Sequence, residues 1–136
     1  MIKPIVKDII FLSQKALRAD ESDAQTVTDI LDTLKEHDEE CIGMAANMIG
    51  VNKSIIVFKS QGKYHVMINP QIVKCSGEYD AREGCLSLSG VRPAKRYKSI
   101  KVEYYNENMQ SRVKTYNGFE AQVIQHEIDH CKGIII

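Results

Sequence analysis

The chain has 136 residues, with 18 Lys or Arg balanced by 18 Asp or Glu, so its formal net charge is zero. That balance excludes a globally basic nucleic-acid binder and a polyacidic tail protein. Hydrophobic residues at 43% and a mean hydropathy of −0.27 suit a soluble globular chain of one domain, 1–136, with enough length to bury a core.

Met1-Ile2-Lys3-Pro4 lacks the apolar stretch and cleavage site of a secretory signal, which points to a cytoplasmic protein. The apolar run Ile55-Ile56-Val57-Phe58 is far short of the ~20 residues of a membrane span. Ser22 and Gln25 have capping-box spacing, and Val27, Ile30, Leu31 and Leu34 follow at i, i+3, i+4 and i+7, predicting a helix from about Asp23 to Glu39. Residues 41–50 are too apolar for an exposed loop. Residues 54–59 and 64–68 flank Gly62 as paired strands, and 71–75 continue as strand before Ser76-Gly77. Residues 99–105 alternate as a half-buried strand, Asn106-Glu107-Asn108 turns the chain, and a partner strand lies near 111–116. Gly118 ends it, and Phe119, Val123, Ile124 and Ile128 recur at helical spacing over 119–131. A helix, mostly antiparallel strands and a late helix make an α+β fold.

The late helix carries His126-Glu127-Ile128-Asp129-His130. Histidines at i and i+4 share one helical face, close enough to bind one ion, and Glu127 stands beside them as proton acceptor for a water. A catalytic divalent ion takes three protein ligands and keeps a position open. Cys131 points about 100° away from His130 on an α-helix, so the third ligand lies upstream, among Cys85, His65, His37 and several carboxylates. Cys85 sits in Glu83-Gly84-Cys85-Leu86-Ser87, where Gly84 permits close backbone approach. Cys41, Cys75 and Cys131, spread singly with no C-x-x-C pair, read as packed thiols.

Glu83-Gly84-Cys85-Leu86-Ser87 together with Gln125-His126-Glu127-Ile128-Asp129-His130 resembles the two metal-binding signatures of the peptide deformylases. The family's Gly-x-Gly-Leu-Ala-Ala-x-Gln segment is matched by Cys41-Ile42-Gly43-Met44-Ala45-Ala46-Asn47-Met48, and Leu17-Arg18, Ile68-Asn69-Pro70 and Gly118 extend the likeness over most of the chain. The resemblance implies antiparallel sheets packed around a C-terminal metal-binding helix, with a helix preceding them. It implies that Cys85, His126 and His130 hold one divalent ion, natively often Fe2+ and replaceable by Zn2+, Ni2+ or Co2+. It implies hydrolysis of the N-formyl group from the initiator methionine of nascent polypeptides, near the ribosome, with the ion activating a water and Glu127 acting as base and then acid. The backbone N–H of Leu86 matches an oxyanion donor; Ile42, Gly43, Glu83, Gly84, Gln122 and Val123 match the substrate groove; Glu40 and Arg96 match a salt bridge.

Met48 stands where the family's Gln supplies a second oxyanion donor, and a thioether has no N–H to give. Losing one such donor costs about 10²–10³ in rate. Gln122, one turn before His126 where the family usually has an apolar residue, is expected either to replace that amide or to make the pocket polar, and Asn47 is a weaker substitute. Cys41 at the first Gly of the segment is costly if its backbone needs positive φ, and Ser89 where the family has Pro leaves the turn less rigid. A deformylase-like metal-binding protein with weak, altered or lost turnover is the alternative, and a metalloprotease or other amide hydrolase a third. Lys95-Arg96-Tyr97-Lys98 reads as a solvated turn, with no specific nucleic acid expected.

Overall fold

The computed structural model describes residues 1–136. A short helix α1 (Ile9–Leu12) and a 3-10 turn (Glu21–Asp23) precede α2 (Ala24–Glu36). Strand β1 (Gly43–Ala45), a 3-10 turn (Ala46–Ile49), β2 (Ile55–Ser60), β3 (Lys63–Cys85), β4 (Leu88–Tyr105) and β5 (Ser111–Asn117) follow, and α3 (Gly118–Cys131) closes the order. The strands form one sheet in sequence order, β1-β2-β3-β4-β5, and every neighbouring pair is antiparallel.

The sheet is sandwiched between the two long helices, and β2 shows why. Ile56 and Phe58 pack with Ile124, Ile128 and Met67 on the α3 side, whereas Ile55 and Val57 pack with Ile30, Leu34 and Met44 on the α2 side. A strand covered on both faces reads as an unbroken apolar run, because alternation sends every second residue to a different core. Residues 41–50, expected to be buried, supply β1 and the 3-10 turn, whose Met44, Ala46, Met48 and Ile49 complete the α2 side.

Several boundaries differ from the sequence expectation: α2 ends at Glu36, short of Glu39, and the strand expected over 99–105 already begins at Leu88. The capping box belongs to Asp20 and Asp23, not Ser22 and Gln25: Asp20 N–H donates to Asp23 Oδ2 (3.0 Å) and Ser22 N–H to Asp20 Oδ1 (2.9 Å). The Ser22 hydroxyl is itself a donor to Asp20, since a carboxylate is the stronger acceptor. The expected strands at 64–68 and 71–75 are one long β3 interrupted by register shifts between Ile68 and Gln71 and between Ile72 and Lys74. At the first shift Asn69 takes φ +53°, and its side-chain amide clamps Ala19, accepting from the N–H (2.8 Å) and donating to the carbonyl (2.9 Å). Beyond the second shift, β3 and β4 project as a hairpin that carries Cys85 to its tip.

The end of α3 is held unusually firmly. Gly133, at φ +75°, lets its N–H bond to His130 O and that of Ile134 to Asp129 O, both at 3.0 Å, the paired geometry of a Schellman stop. Ala16 N–H donates to Cys131 O (2.8 Å), and Asn47 Nδ2 donates to His130 O (3.0 Å), so carbonyls that a helix end leaves unpaired are satisfied. A Cβ on Gly133 would collide with the Ser13 carbonyl. We therefore expect Gly133→Ala to lower stability by about 1–3 kcal/mol from backbone strain alone, read as a reduced urea midpoint with an unchanged far-UV spectrum.

Candidate active site

Three donors meet where the hairpin tip crosses α3. His126 and His130 project from one helical face with their Nε2 atoms 3.0 Å apart, and Cys85 Sγ lies 3.4 Å from His130 Nε2. The ligand atoms of all three fall within 4.8 Å of one another. A tetrahedral ion bonded at about 2.0–2.1 Å to nitrogen and about 2.3 Å to sulfur sets donor–donor edges of roughly 3.3–3.6 Å. The spacing fits, and so does the chemistry: two ring lone pairs at 3.0 Å need a shared proton or a cation between them. Cys85, His126 and His130 could therefore hold the divalent ion of the sequence analysis; His65 and His37 have no place in the cluster.

His126 reaches the cluster with Nε2 because its Nδ1 is engaged by Glu83 Oε1 at 2.8 Å. Glu83 also accepts from Arg96 Nε (3.2 Å to Oε1, 2.9 Å to Oε2), from Arg96 Nη2 (2.7 Å) and from Gln122 Nε2 (2.9 Å). Four N–H donors fill the roughly four lone-pair sites of a carboxylate. The Glu83 side chain thus lines the cleft with its oxygens already engaged. Burial alone would raise its pKa, but hydrogen bonds from His126, Arg96 and Gln122 prevail and lower it to about 2.

Arg96 is 3% exposed and extends Nη1 to Asp129 Oδ2 (2.7 Å), so one guanidinium ties the hairpin to α3. The expected pairing of Arg96 with Glu40 does not form. Glu40 is exposed beside His37 Nδ1 (3.2 Å), whereas Glu83 pairs in register with Arg92 of β4 and so shares a hairpin face with Arg96, four residues further on. Nor is Lys95-Arg96-Tyr97-Lys98 a solvated turn: it lies within β4, with Arg96 inward and Lys95 outward on Glu78 (2.8 Å). The Tyr97 backbone is gripped by the Gln125 amide, N–H to Oε1 at 2.8 Å and Nε2 to O at 2.9 Å.

Beside the cluster lies a cleft of about 500 Å³. Every expected site position lines it except His130, which is buried behind Cys85. Ile42 and Gly43 form one wall, Gly84, Cys85 and Leu86 face them, and Gln122, Val123, His126 and Glu127 come from α3. Leu86 occupies the two-residue turn between β3 and β4, and its N–H makes no backbone hydrogen bond. Phe119, Arg82 and Leu88 also line the cleft without having been expected there, since nothing in the sequence but proximity to the signatures marks them.

Glu127 is buried; burial pushes its pKa up to about 7 against the pull of His126, and Oε1 has no hydrogen-bond partner. An orphaned carboxylate oxygen beside three converging donors is poised to accept a proton. Gly43 creates its seat, since a Cβ there would come within 2.8 Å of Glu127 Oε2 and of Val123 Cγ1. Cys41 does not take positive φ, so the strain foreseen for it is absent; its Sγ–H donates to Gly43 O (2.6 Å), and burial, then Glu127, push the thiol up to about 12. It is a packed thiol.

Met48, 1% exposed, presents only apolar surface to the cleft. Asn47 does not replace the missing amide, because its Nδ2 is committed to His130 O. The Gln122 amide faces Glu83, with Oε1 receiving the Tyr79 hydroxyl at 3.4 Å.

One sulfur and two ring nitrogens beside a buried carboxylate, at the edge of a cleft, form the donor set of a metal-dependent hydrolase. Residues 2–136 match the sequence profile of the polypeptide deformylase family. A peptide deformylase of Clostridium beijerinckii is 51% identical over 136 residues, covering all of both chains. The crystal structure of peptide deformylase from Thermus thermophilus matches with a TM-score of 0.88 at 34% identity, over 99% of this chain and 84% of that one. A Met-Ala-Ser-bound class I type b peptide deformylase from Acinetobacter baumannii matches with a TM-score of 0.89 at 25% identity, over 99% and 97%. The chain belongs to the polypeptide deformylase family.

Replacing Arg96 by Met removes the cation that Glu83 and Asp129 share. Breaking one side of a buried ion pair costs about 3–5 kcal/mol, so a urea melt of the Arg96→Met chain is expected to show a loss of that size.

Proposed function

We propose that this chain removes the N-formyl group from the initiator methionine of nascent polypeptides, with Cys85, His126 and His130 holding one divalent ion and Glu127 moving the proton. The observation that carries the assignment of roles is the unpartnered Glu127 Oε1 beside the three converging donors. The bound ion supplies Lewis-acid polarisation of the formyl carbonyl and eases deprotonation of the attacking water.

The chain's own residues do the rest. Glu127 accepts the proton of the attacking water and returns it to the departing amine, so one carboxylate serves both halves of the reaction. The Leu86 N–H donates to the oxygen that gains charge as the formyl carbon becomes tetrahedral. Gly43 and Ile42, at the edge of the sheet, carry the extended peptide, which suits main-chain pairing to an unpaired strand edge. Gly84 keeps the opposite wall low, and Val123 and Phe119 offer apolar surface to the methionine side chain. The Acinetobacter baumannii structure that holds Met-Ala-Ser supports a methionine-first peptide in this groove.

Cys, His and His suit Fe2+, Zn2+, Ni2+ and Co2+ alike, and Fe2+ is our choice for the native ion. No helix is long and apolar enough to cross a membrane, and a cytoplasmic encounter with formylated chains as they leave the ribosome is the setting we propose. A purely metal-binding role is disfavoured by the 51% identity to a relative named peptide deformylase.

Formate release from formyl-Met-Ala-Ser by protein reconstituted anaerobically with Fe2+ tests this directly. Wild type should turn over. Glu127→Gln should keep its ion but lose about 10²–10⁴ in rate, and Met48→Gln should gain at least about tenfold by restoring a donor. A fully loaded wild type that releases no formate overturns the assignment.

A further inference from the structure

The Gln122 side chain lines the cleft with its amide nitrogen committed to Glu83, the support of a metal-ligand candidate. Glu83 is bracketed from α3 by two residues one turn apart: His126 Nδ1 holds Oε1 at 2.8 Å, and Gln122 Nε2 holds Oε2 at 2.9 Å. From the hairpin, the Arg96 Nε straddles both oxygens at 3.2 and 2.9 Å, and Nη2 takes Oε1 at 2.7 Å. Arg96 therefore forks across both oxygens from the hairpin, and Gln122 is the donor that ties Oε2 to α3, the helix that also carries His126. The terminal torsion of a Glu side chain is broad and roughly two-fold, so the carboxylate keeps a fixed plane relative to α3 only where both oxygens are tethered to that helix, Oε1 by His126 and Oε2 by Gln122. The Tyr79 hydroxyl, donating to Gln122 Oε1 at 3.4 Å, turns the amide so that its nitrogen faces Glu83.

We infer that Gln122 is a positioning residue for His126: through Oε2 it fixes the Glu83 carboxylate plane, and through that plane the direction in which the imidazole presents Nε2 to the ion. The inference rests on the metal assignment proposed above. Removing a group that hydrogen-bonds a metal-ligating histidine typically weakens binding about 10- to 100-fold, and a residue that orients such a group, one step further out, acts at or below the low end of that range. A groove-lining role alone would act on the substrate and leave the ion untouched.

Gln122→Met is the informative variant, because methionine keeps the volume and cannot donate. The probe is Co2+, with its visible absorption spectrum and its release rate to a chelator read in full-length protein, alongside KM for formyl-Met-Ala-Ser. The expected result is Co2+ release about tenfold faster, with altered visible bands. Tyr79→Phe should shift the release rate in the same direction by a smaller factor, and it decides the matter if Gln122→Met does not fold. A changed KM with wild-type Co2+ release and spectrum overturns the inference in favour of substrate contact, and so do two variants indistinguishable from wild type. Wild type that takes up no Co2+ refutes the metal assignment itself, which is a separate failure.

Discussion

Glu83 is a carboxylate taken out of water and kept charged, and the site is assembled around the need to compensate it. An isolated buried carboxylate costs so much that it normally neutralises; here two guanidinium nitrogens, an imidazole and an amide hold its pKa down to about 2. Each of those donors belongs to a different requirement of the molecule. Arg96 closes the β3–β4 hairpin and reaches Asp129 on α3. His126 is thereby committed to presenting Nε2, and Gln122 to facing inward. A buried pair of this kind adds little net stability compared with apolar packing of equal volume, but it is intolerant of losing a member. Its effect is to specify one register between hairpin tip and helix, and Cys85 arrives beside His130 only in that register.

The second constraint is that α3 must not slide or rotate. Ile124 and Ile128 bury it against the sheet, the Gln125 amide is bolted to the Tyr97 backbone, and the last carbonyls are taken by Ala16, Asn47 and the Gly133 stop. Apolar burial is non-directional and would tolerate small shifts. The directional bonds fix the helix along and about its axis, which is what two ring nitrogens 3.0 Å apart require.

The parts legible in the sequence are those whose signal is local. The apolar stripes of α2 and α3 and the run in β2 follow from periodicity, and the i, i+4 histidines announce a shared helical face. Residues 76–98 carry no such signal, because the inward positions of the projecting hairpin, Tyr79, Ala81, Glu83, Arg92, Ala94 and Arg96, are mostly polar or small, and Gly77, Gly84, Gly90 and Pro93 interrupt it, leaving no apolar alternation to detect. The partner of Arg96 is hidden for a related reason: which carboxylate meets a guanidinium depends on strand register, and bulges at 68–71 and 72–74 reset that register without a readable mark. Asn47 and Gln125 look like ordinary polar residues until helix and sheet ends are brought together, since both bond to backbone groups far away in sequence.

The substitution at Met48 belongs to the same logic. A side-chain amide aimed at the reacting oxygen needs a dry, preorganised setting, and its absence costs about 10²–10³ in rate. The Met48 side chain is instead absorbed into the α2-side core with Met44, Ile49 and Val57, where a thioether fills irregular space well. The neighbouring Asn47 is drawn off to cap α3, and Cys41 is drawn off to Gly43. The side-chain donors of Asn47 and Cys41 on that wall are thus engaged in holding α3 and β1 in place. On the opposite side of the reacting centre the Leu86 N–H makes no backbone bond. In the proposed reaction, stabilisation of the developing charge rests on the Leu86 wall of the cleft and on the ion, and the Met48 wall contributes no side-chain donor.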